Sequence, residues 1–164
     1  IYTVNVSADT VDIYLRVASV QDGGQIRIWL DDVLLATADV PNTGSLNTWQ
    51  TLLAGETVLP TKTNAVLKLE FVAGGFRLNW ITFSKQMPYL GNPILLPGVL
   101  QFEDFDIGGQ WISFYDTTAG NSYGAYRTDV DVDIMNISDG GTAGYGVYMT
   151  AGEWLEYTLS LIHI

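Results

Sequence analysis

Cysteine is absent from the 164-residue chain, and the one histidine, His163, stands next to the last residue. Without cysteine there are no disulfides, thiolate metal sites or cysteine nucleophiles. A single histidine nearly excludes histidine-based catalysis and histidine-rich metal sites. No apolar run approaches the roughly 18 residues of a membrane-spanning helix, and residues 1–6 alternate without the basic flank of a signal peptide. We therefore expect neither a membrane span nor thiol or histidine chemistry.

Basic residues are also scarce, with 7 lysines and arginines against 18 aspartates and glutamates and a net charge of −11. Such a charge repels phosphate backbones and anionic lipid, so nucleic acid and membrane surfaces are poor partners. Charged residues make up only 15% of the chain and hydrophobic residues 48%, which predicts a folded protein with a substantial core. The length suits one ordinary domain or parts of two.

Apolar and polar residues alternate with a period of two through most of the chain, which predicts strands with one buried face. Glycine pairs between these segments mark turns, and no segment shows a long period of 3.6 residues. The fold class is therefore predicted to be all-β, a sandwich or jelly roll. Trp29, Trp80 and Trp154 alternate with polar neighbours and are predicted to be core residues. The clearest predicted strands lie at 12–17, 25–30, 65–72, 77–83 and 154–161.

The alternation stops at QMPYLGNPILLPG, residues 86–98, which holds three of the five prolines. We interpret this segment as a linker or a long crossover between residues 1–85 and residues 99–164. Each flanking part is small for an independent sandwich. Near the two ends, Tyr2–Val6 (YTVNV) and Tyr157–Leu161 (YTLSL) match in residue type at every position, which suggests a repeating unit.

The motifs resemble one family in two pieces. The stretches LRVAS, LDDVLLATADVPNTGSLNTWQT and VLKLEFVAGGFRLNWITF resemble the C-terminal half of carbohydrate-binding module family 6, where T-G-x-W-x-x-W precedes G-G-x-x-x-N-W. The later stretches LQFEDFDIGGQ, AYRTDVDVDI and GYGVYMTAGEWLEYTLSL are similar to the N-terminal half of the same family. The halves stand in reversed order, so the chain looks like a window across a tandem array.

The resemblance implies a jelly-roll sandwich like that of galactose-binding domains. Because residues 1–85 lack what residues 99–164 supply, we expect the two halves to pack as one circularly permuted sandwich. Ile1–Val6 and Glu156–Leu161 would correspond to the same strand, so one of them is expected at an edge or a frayed end. Ile162–Ile164 fit the family pattern poorly, and we interpret them as a cloning or assembly remnant.

Sugar binding in such a module needs aromatic rings for the C–H face of a pyranose, and amides or carboxylates for its hydroxyls. The resemblance implies that Tyr148 is one ring, that Asn79 forms the floor of the cleft, and that Glu153 accepts a hydroxyl hydrogen bond. The alternative for Asn79 is a buried, satisfied amide. Leu46 stands where the family has its loop tryptophan, which leaves Trp49 as second ring or as core residue. We expect a cleft that is weakened or altered in specificity.

The run TDVDVDI predicts a strand with Asp129, Asp131 and Asp133 on one face. Neighbouring carboxylates repel one another unless they are solvated or bridged by a cation, and the spacing of an EF-hand loop is not met. A solvated strand face is the plain interpretation. The family resemblance instead implies a structural calcium ion bound by Gln101 and Glu103, with Asp129 or Asp133 contributing.

Catalysis within the chain is not expected. Glycoside hydrolysis needs two carboxylates about 5 to 10 Å apart, and Glu103, Glu153 and Glu156 are available. Carboxylates are common, however, and the sequence holds no serine elbow, phosphate loop or zinc motif.

The preferred hypothesis is a non-catalytic module of a secreted bacterial protein that holds an attached glycoside hydrolase on its polysaccharide. Xylan, β-glucan and agar-type galactans of plants or algae are all candidate ligands, and a monomer is expected. A second hypothesis is a structural or adhesive, calcium-stabilised sandwich that binds no sugar. A third is a jelly-roll lyase or hydrolase.

Overall fold

A computed structural model describes residues 1–161, so the expectations for His163 and for the remnant at 162–164 lie outside the described residues. The chain divides into two compact units, Ile1–Lys85 (unit 1) and Gln86–Ile164 (unit 2), and each is described by itself. Within the described part of the chain there is no α-helix. No helix there is long and apolar enough to cross a membrane.

Unit 1 contains seven strands, which follow one another with short connections. They pair into a four-stranded antiparallel sheet of order β1-β6-β3-β4 and a three-stranded antiparallel sheet of order β5-β2-β7. The strands are β1 Tyr2–Val6, β2 Asp9–Ser19, β3 Gly24–Leu30, β4 Val33–Val40, β5 Gln50–Leu59, β6 Lys62–Ala73 and β7 Phe76–Ser84.

The larger of two apolar clusters in unit 1 lies between its two sheets. Strand β2 contributes Ile13, Leu15 and Val17, all fully buried, and strand β3 of the other sheet contributes Ile26 and Ile28 to the same cluster. Because successive side chains of a strand point to opposite faces, the alternation in DIYLRV and QIRIWL is what places these residues together. Unit 1 is therefore a β-sandwich, and the predicted all-β class is confirmed.

Close packing at the start of β3 depends on a glycine. A Cβ added at Gly24 would come within 2.5 Å of the Phe76 ring and 3.1 Å of Val40. Gly23 before it has φ of +92°, in the left-handed region that favours glycine. The Gly23-Gly24 pair, which the sequence marked as a turn, thus makes the reversal between β2 and β3 and lets the two sheets approach.

Unit 2 has shorter elements. Strands β10 and β11 form an antiparallel hairpin, β9 pairs with β12, and β8 pairs with β13 in parallel. The elements are β8 Ile94–Leu96, a 3-10 helix Phe102–Asp104, β9 Phe114–Tyr115, β10 Ile134–Asp139, β11 Thr142–Val147, β12 Trp154–Leu155 and β13 Leu159–Leu161. The segment 86–98, predicted to be a linker, therefore contributes strand β8.

A small aromatic core and a buried arginine organise unit 2. The rings of Phe105 and Phe114 meet edge to face with centroids 5.4 Å apart, inside a cluster with Val132 and Ile134. The Arg127 guanidinium lies 3.7 Å from the centroid of Phe105, and its Nη1 donates to the carbonyl oxygen of Phe105. Burial lowers the pKa of Arg127 from its usual value. The arginine thus satisfies a carbonyl that the short strands leave without a partner in a ladder.

The strand predicted for TDVDVDI is wrong. Residues 128–133 form turns and bends, and strand β10 begins only at Ile134. Asp131 accepts a hydrogen bond from the backbone N–H of Gly120 at 2.8 Å, and Asp133 from that of Ser122 at 2.7 Å. Aspartate side chains that bond to backbone groups compete with strand pairing, so these carboxylates hold a loop instead of lining a strand.

Candidate functional site

The loop between β4 and β5 of unit 1 is fixed at both sides. Thr43 Oγ1 accepts a hydrogen bond from the backbone N–H of Ser19 at 2.9 Å, and the Thr43 N–H donates to the Ser19 carbonyl at 2.9 Å. Arg77 Nη1, at the start of β7, donates to Asn47 Oδ1 at 2.9 Å and to the Leu46 carbonyl at 3.2 Å. The loop that carries Leu46 is therefore tied to the ends of β2 and β7.

Two of the predicted ligand residues lie at this end of unit 1. Trp49 is half-buried and directly precedes β5. Asn79 is exposed on β7, at the place where the pairing of β7 with β2 shifts register between Arg16 and Val17. The extra residue of a β-bulge turns its side chain out of the regular alternation. Asn79 is thus accessible to a ligand, and the buried-amide interpretation does not apply.

A polar and aromatic surface covers the side of the three-stranded sheet that faces away from the core. Because Ile13, Leu15 and Val17 point inward, the alternate residues of β2 point outward. Their antiparallel partners lie on the same side. We call this surface the outer face, and it comprises Tyr14, Arg16, Thr51, Leu53, Trp80 and Thr82.

Arg16 occupies the middle of the outer face. It is only 9% exposed, it pairs with Thr51 on one side and Trp80 on the other, and its Nη1 donates to Thr51 Oγ1 at 3.0 Å. The next cross-strand pairs on this face join Tyr14 to Leu53, which is 55% exposed, and to Thr82. Indole, phenol, guanidinium and hydroxyl groups therefore share one surface, the combination that recognises a pyranose ring and its hydroxyls.

The outer face was not predicted from the sequence, because Trp80 was expected in the core. Trp80 is half-buried and belongs to no core cluster of the described residues. The residues of β7 that pack inward are Phe76, Leu78, Ile81 and Phe83. The bulge at Asn79 reverses the alternation between Leu78 and Ile81. The prediction that Trp80 is a core residue is therefore wrong.

Trp29 lies on the solvent side of the other sheet and was also wrongly predicted to be core. Its indole N–H donates to Glu70 Oε2 at 2.9 Å, and the Lys68 ammonium lies 4.6 Å from the ring centroid. One face of this indole is thus occupied by a cation of its own sheet. Trp29 is better suited to cross-strand pairing than to stacking on a ligand.

Unit 2 presents an exposed pair of tyrosines. Tyr148 follows β11, is 48% exposed, and meets the ring of Tyr123 edge to face at 6.0 Å between centroids. The backbone N–H of Tyr148 donates to the Asp133 carbonyl at 2.9 Å, which fixes the end of the hairpin. Tyr123 is 52% exposed and was not predicted, because it lies in a loop where no alternation marks it. The pair gives Tyr148 a partner ring within unit 2.

Glu153, the predicted hydroxyl acceptor, already accepts three hydrogen bonds. Its Oε1 accepts from the Thr117 N–H at 3.0 Å and the Thr117 hydroxyl at 2.6 Å, and its Oε2 accepts from the Thr150 N–H at 2.7 Å. Desolvation raises the pKa of the carboxyl, but these bonds outweigh it and lower the pKa of Glu153 to about 2. The side chain therefore stays ionised and ties two loops, and unused acceptor capacity remains on Oε2.

The predicted calcium ligands are spread over several elements of unit 2. Gln101 is exposed before the 3-10 helix, Glu103 is buried within it, Asp129 is exposed in a turn, and Asp133 is buried. Within residues 1–161 no three acidic, histidine or cysteine side chains come together as a metal-binding group. The predicted set includes the amide of Gln101 and backbone carbonyls, so calcium binding stays a prediction.

The solved structures that are similar to the chain include three modules described as CBM6. The C-terminal CBM6 of LamC, a marine laminarinase from Zobellia galactanivorans, is 32% identical over 48% of this chain and 64% of its own, with a TM-score of 0.45. The module CBM6cm-2 from Cellvibrio mixtus lichenase 5A, in complex with cellotriose, is 29% identical over 49% and 63%, with a TM-score of 0.45. A β-1,3-glucan binding CBM6 from Bacillus halodurans is 33% identical over 50% and 66%, with a TM-score of 0.43.

The chain thus spans less than two thirds of the length of each of these structures. No curated protein matches it. The model of the family described as carbohydrate binding module (family 35) matches residues 2–83, half of the chain, which includes both sheets of unit 1. A carbohydrate-binding module, as predicted from the motifs, is therefore confirmed, although the motifs indicated family 6. Through residues 2–83 the chain belongs to carbohydrate-binding module family 35.

Proposed function

We propose that unit 1 binds a polysaccharide through the outer face and the loop at its end, without catalysing a reaction on it. The observation that carries this proposal is the cross-strand group of Trp80, Arg16 and Thr51, with Tyr14 one pair along the sheet. An indole and a phenol supply flat apolar surface, and the guanidinium and hydroxyls supply donors and acceptors. Strand positions hold these groups in fixed spacing, which lowers the cost of ordering them on binding.

The loop residues give the same unit a second group of contacts. Asn79 is exposed at the bulge, close in sequence to Arg77. Arg77 donates to the Leu46 carbonyl and so holds the loop that ends at Trp49. Where the family 6 motif has a loop tryptophan, Leu46 offers no flat ring. We therefore assign the main stacking role to Trp80 of the outer face, and a supporting role to Asn79 and Trp49. In unit 2, Tyr148 and Glu153 remain candidates for a separate contact with sugar.

Such a module serves an attached enzyme by effective concentration. Weak sites that are repeated along one chain gain avidity without new contacts. We infer that the parent protein is a secreted glycoside hydrolase that uses modules of this kind, in tandem, to stay on its substrate. Xylan, β-glucan and agar-type galactans are the candidate ligands, and a structural calcium ion is a separate proposal that requires metal titration.

Isothermal titration calorimetry against cello-, laminari-, xylo- and agaro-oligosaccharides tests the proposal, with calcium and with a chelator. We expect one series to bind and Trp80→Ala to weaken that binding by about tenfold or more, since buried aromatic contacts dominate such interfaces. Trp29→Ala removes an indole from the other sheet of the same unit and is the matched control. It should leave affinity unchanged.

Three other outcomes would contradict the proposal. Loss of binding in Tyr148→Ala, with Trp80→Ala unaffected, would move the site to unit 2. No binding of any of the four oligosaccharide series by the folded protein would favour the structural or adhesive module. Reducing ends released from polymer would mean that the module is an enzyme after all.

A further inference from the structure

The chain carries two versions of one strand. Tyr2–Val6 forms β1, and Tyr157–Leu161 has the same order of aromatic, hydroxyl, apolar, polar and apolar residues. In the second version leucines replace both valines, as Leu159 for Val4 and Leu161 for Val6. A sequence that suits the place of β1 is therefore present twice in every copy of the protein.

Strand β1 holds its place weakly. It is an edge strand that pairs only with β6, its register shifts between Val4 and Val6, and Tyr2 is 62% exposed. Val4 and Val6 line an apolar cavity of about 340 Å³, together with Leu30, Leu35, Leu59 and Phe83. Val4 and Val6 pack against the cluster that contains Leu30 and Leu59 and leave the rest of this space open. Unfilled apolar space near a core weakens packing.

The second version presents its leucines to solvent. Leu159 is 43% exposed and Leu161 is 64% exposed, and β13 is held by three parallel pairs with β8. Before them, Tyr157 is half-buried, and its hydroxyl donates to the Phe102 carbonyl at 2.9 Å. Tyr157 thus anchors the segment in unit 2, whereas the residues beyond it can leave at the cost of β13 and of the Thr158 contacts with Asp106.

We propose that Thr158–Leu161 of a second copy replaces β1 against β6 of unit 1, so that copies associate head to tail by strand exchange. In the register of β1, Thr158 faces Val66, Leu159 faces Ala65 and Leu161 faces Lys62. Leu159 and Leu161 then point into the cavity, where each side chain adds one methylene to the contacts that Val4 and Val6 make with its lining. Main-chain hydrogen bonds to an exposed sheet edge hold the partner, as in other cases of strand addition.

This association is heterologous, because the donor strand and the acceptor edge are different surfaces, so it extends into chains unless it closes into a ring. A chain of copies repeats every sugar-binding surface along one assembly, which would raise avidity for a polysaccharide. The inference replaces the monomer expected from the sequence, and it does not depend on the proposed sugar binding.

Sedimentation velocity over a range of concentrations tests the exchange. We expect reversible association of the unmodified chain, and a loss of at least tenfold in association constant for the double variant Leu159→Asp and Leu161→Asp. The matched control is Leu90→Asp with Val99→Asp, which adds the same charge at residues that are 64% and 79% exposed in unit 2. Circular dichroism verifies that each variant is folded.

Cysteine cross-linking fixes the register, because the chain has no cysteine of its own. A tagged Thr158→Cys protein is mixed with an untagged Val66→Cys protein and oxidised, and we expect a disulfide product of twice the 18.0 kDa of one chain that carries both forms. Thr37→Cys, exposed on the opposite edge strand of the same sheet, replaces Val66→Cys as control and should give no mixed product. Thr158→Cys also removes a hydroxyl that donates to Asp106. The association constant of the reduced variant is therefore measured by sedimentation velocity as a control.

Several results would overturn the exchange. A monomer at every concentration excludes it, and so does association that survives both aspartates. Equal cross-linking of Val66→Cys and Thr37→Cys would mean contact without the register of β1. A disulfide that forms within one double-cysteine chain, but not between mixed single-cysteine proteins, would exclude a second copy as the occupant.

Discussion

Units 1 and 2 hold their structure by different means. Unit 1 has strands of 5 to 12 residues and a core of aliphatic side chains between two sheets. The strands of unit 2 have 2 to 6 residues. Of the buried polar or charged residues among positions 1–161, unit 1 holds Arg16 and Ser19, whereas unit 2 holds Glu103, Asp106, Ser113, Asp116, Arg127 and Asp133.

The difference predicts which substitutions lower the stability of each unit. An aliphatic core loses stability in proportion to the apolar volume that is removed. A unit built on buried polar groups loses stability when one partner of a hydrogen bond is removed, because the other partner is then buried and unsatisfied. Asp106 is an example, since it is 1% exposed and accepts bonds from the Thr158 N–H and hydroxyl and from the Gln86 amide.

The largest effect is expected for Leu15→Ala in unit 1. Leu15 is fully buried in the centre of β2, and removing its side chain leaves a cavity between the two sheets. The free energy of unfolding should fall by about 3 kcal/mol. Hydrogen exchange read by mass spectrometry checks this result through loss of protection in residues 9–84. The control Leu53→Ala, on the outer face, should change stability by less than about 1 kcal/mol, and an equal loss in both variants would contradict the aliphatic-core account.

A somewhat smaller effect is expected for Arg127→Ala in unit 2. Arg127 is 5% exposed, its guanidinium lies against the rings of Tyr89 and Phe105, and it donates to the carbonyls of Phe105 and Asp106. Removing it leaves those carbonyls without a donor, which should cost about 2 kcal/mol.

Arg127→Lys separates the charge of the arginine from its geometry. Lysine keeps the positive charge but lacks the planar fork that reaches two carbonyls at once. We expect Arg127→Lys to recover less than half of the free energy of unfolding that Arg127→Ala loses. Chemical denaturation, monitored by hydrogen exchange of residues 102–161, measures both losses. Full recovery by lysine would show that charge alone matters at this position. Loss of protection that extends into unit 1 would support the predicted single, permuted sandwich.

Alternation predicted strands β2, β3, β6 and β7 of unit 1, and it also indicates which side of each strand faces the core. In QIRIWL the inward residues are Ile26, Ile28 and Leu30, so Trp29 between the last two must point outward. The core prediction for Trp29 rested on alternation with polar neighbours, yet Ile28 and Leu30 on either side of it are apolar. Trp80 is different, because the bulge at Asn79 shifts the alternation of β7 by one residue. A bulge without glycine or proline leaves no clear mark in the sequence, so this part of the outer face could not be predicted.

Unit 2 was harder to predict because its contacts join side chains to distant backbone groups. The D-x-D-x-D spacing is the pattern of a strand, yet Asp131 and Asp133 bind the N–H groups of Gly120 and Ser122. Which backbone group an aspartate reaches depends on the path of a loop, and periodicity gives no information about that path. For the same reason Glu153 could be placed beside Tyr148 in sequence, whereas its bonds to Thr117 and Thr150 could not be foreseen.

The smallest effect is expected from the titration of Glu153. Its pKa in the folded protein is about 2, below the usual 4.5, so ionisation stabilises the fold. This contribution is fully present above about pH 4.5 and is lost as the pH falls towards 2. The Thr117 and Thr150 amide signals in NMR spectra should therefore shift with a midpoint near 2. Glu153→Gln should abolish that titration, whereas Glu156→Gln, an exposed neighbour, should leave it intact. A midpoint near 4.5 would mean that the carboxylate does not accept these hydrogen bonds in solution and does not tie the two loops.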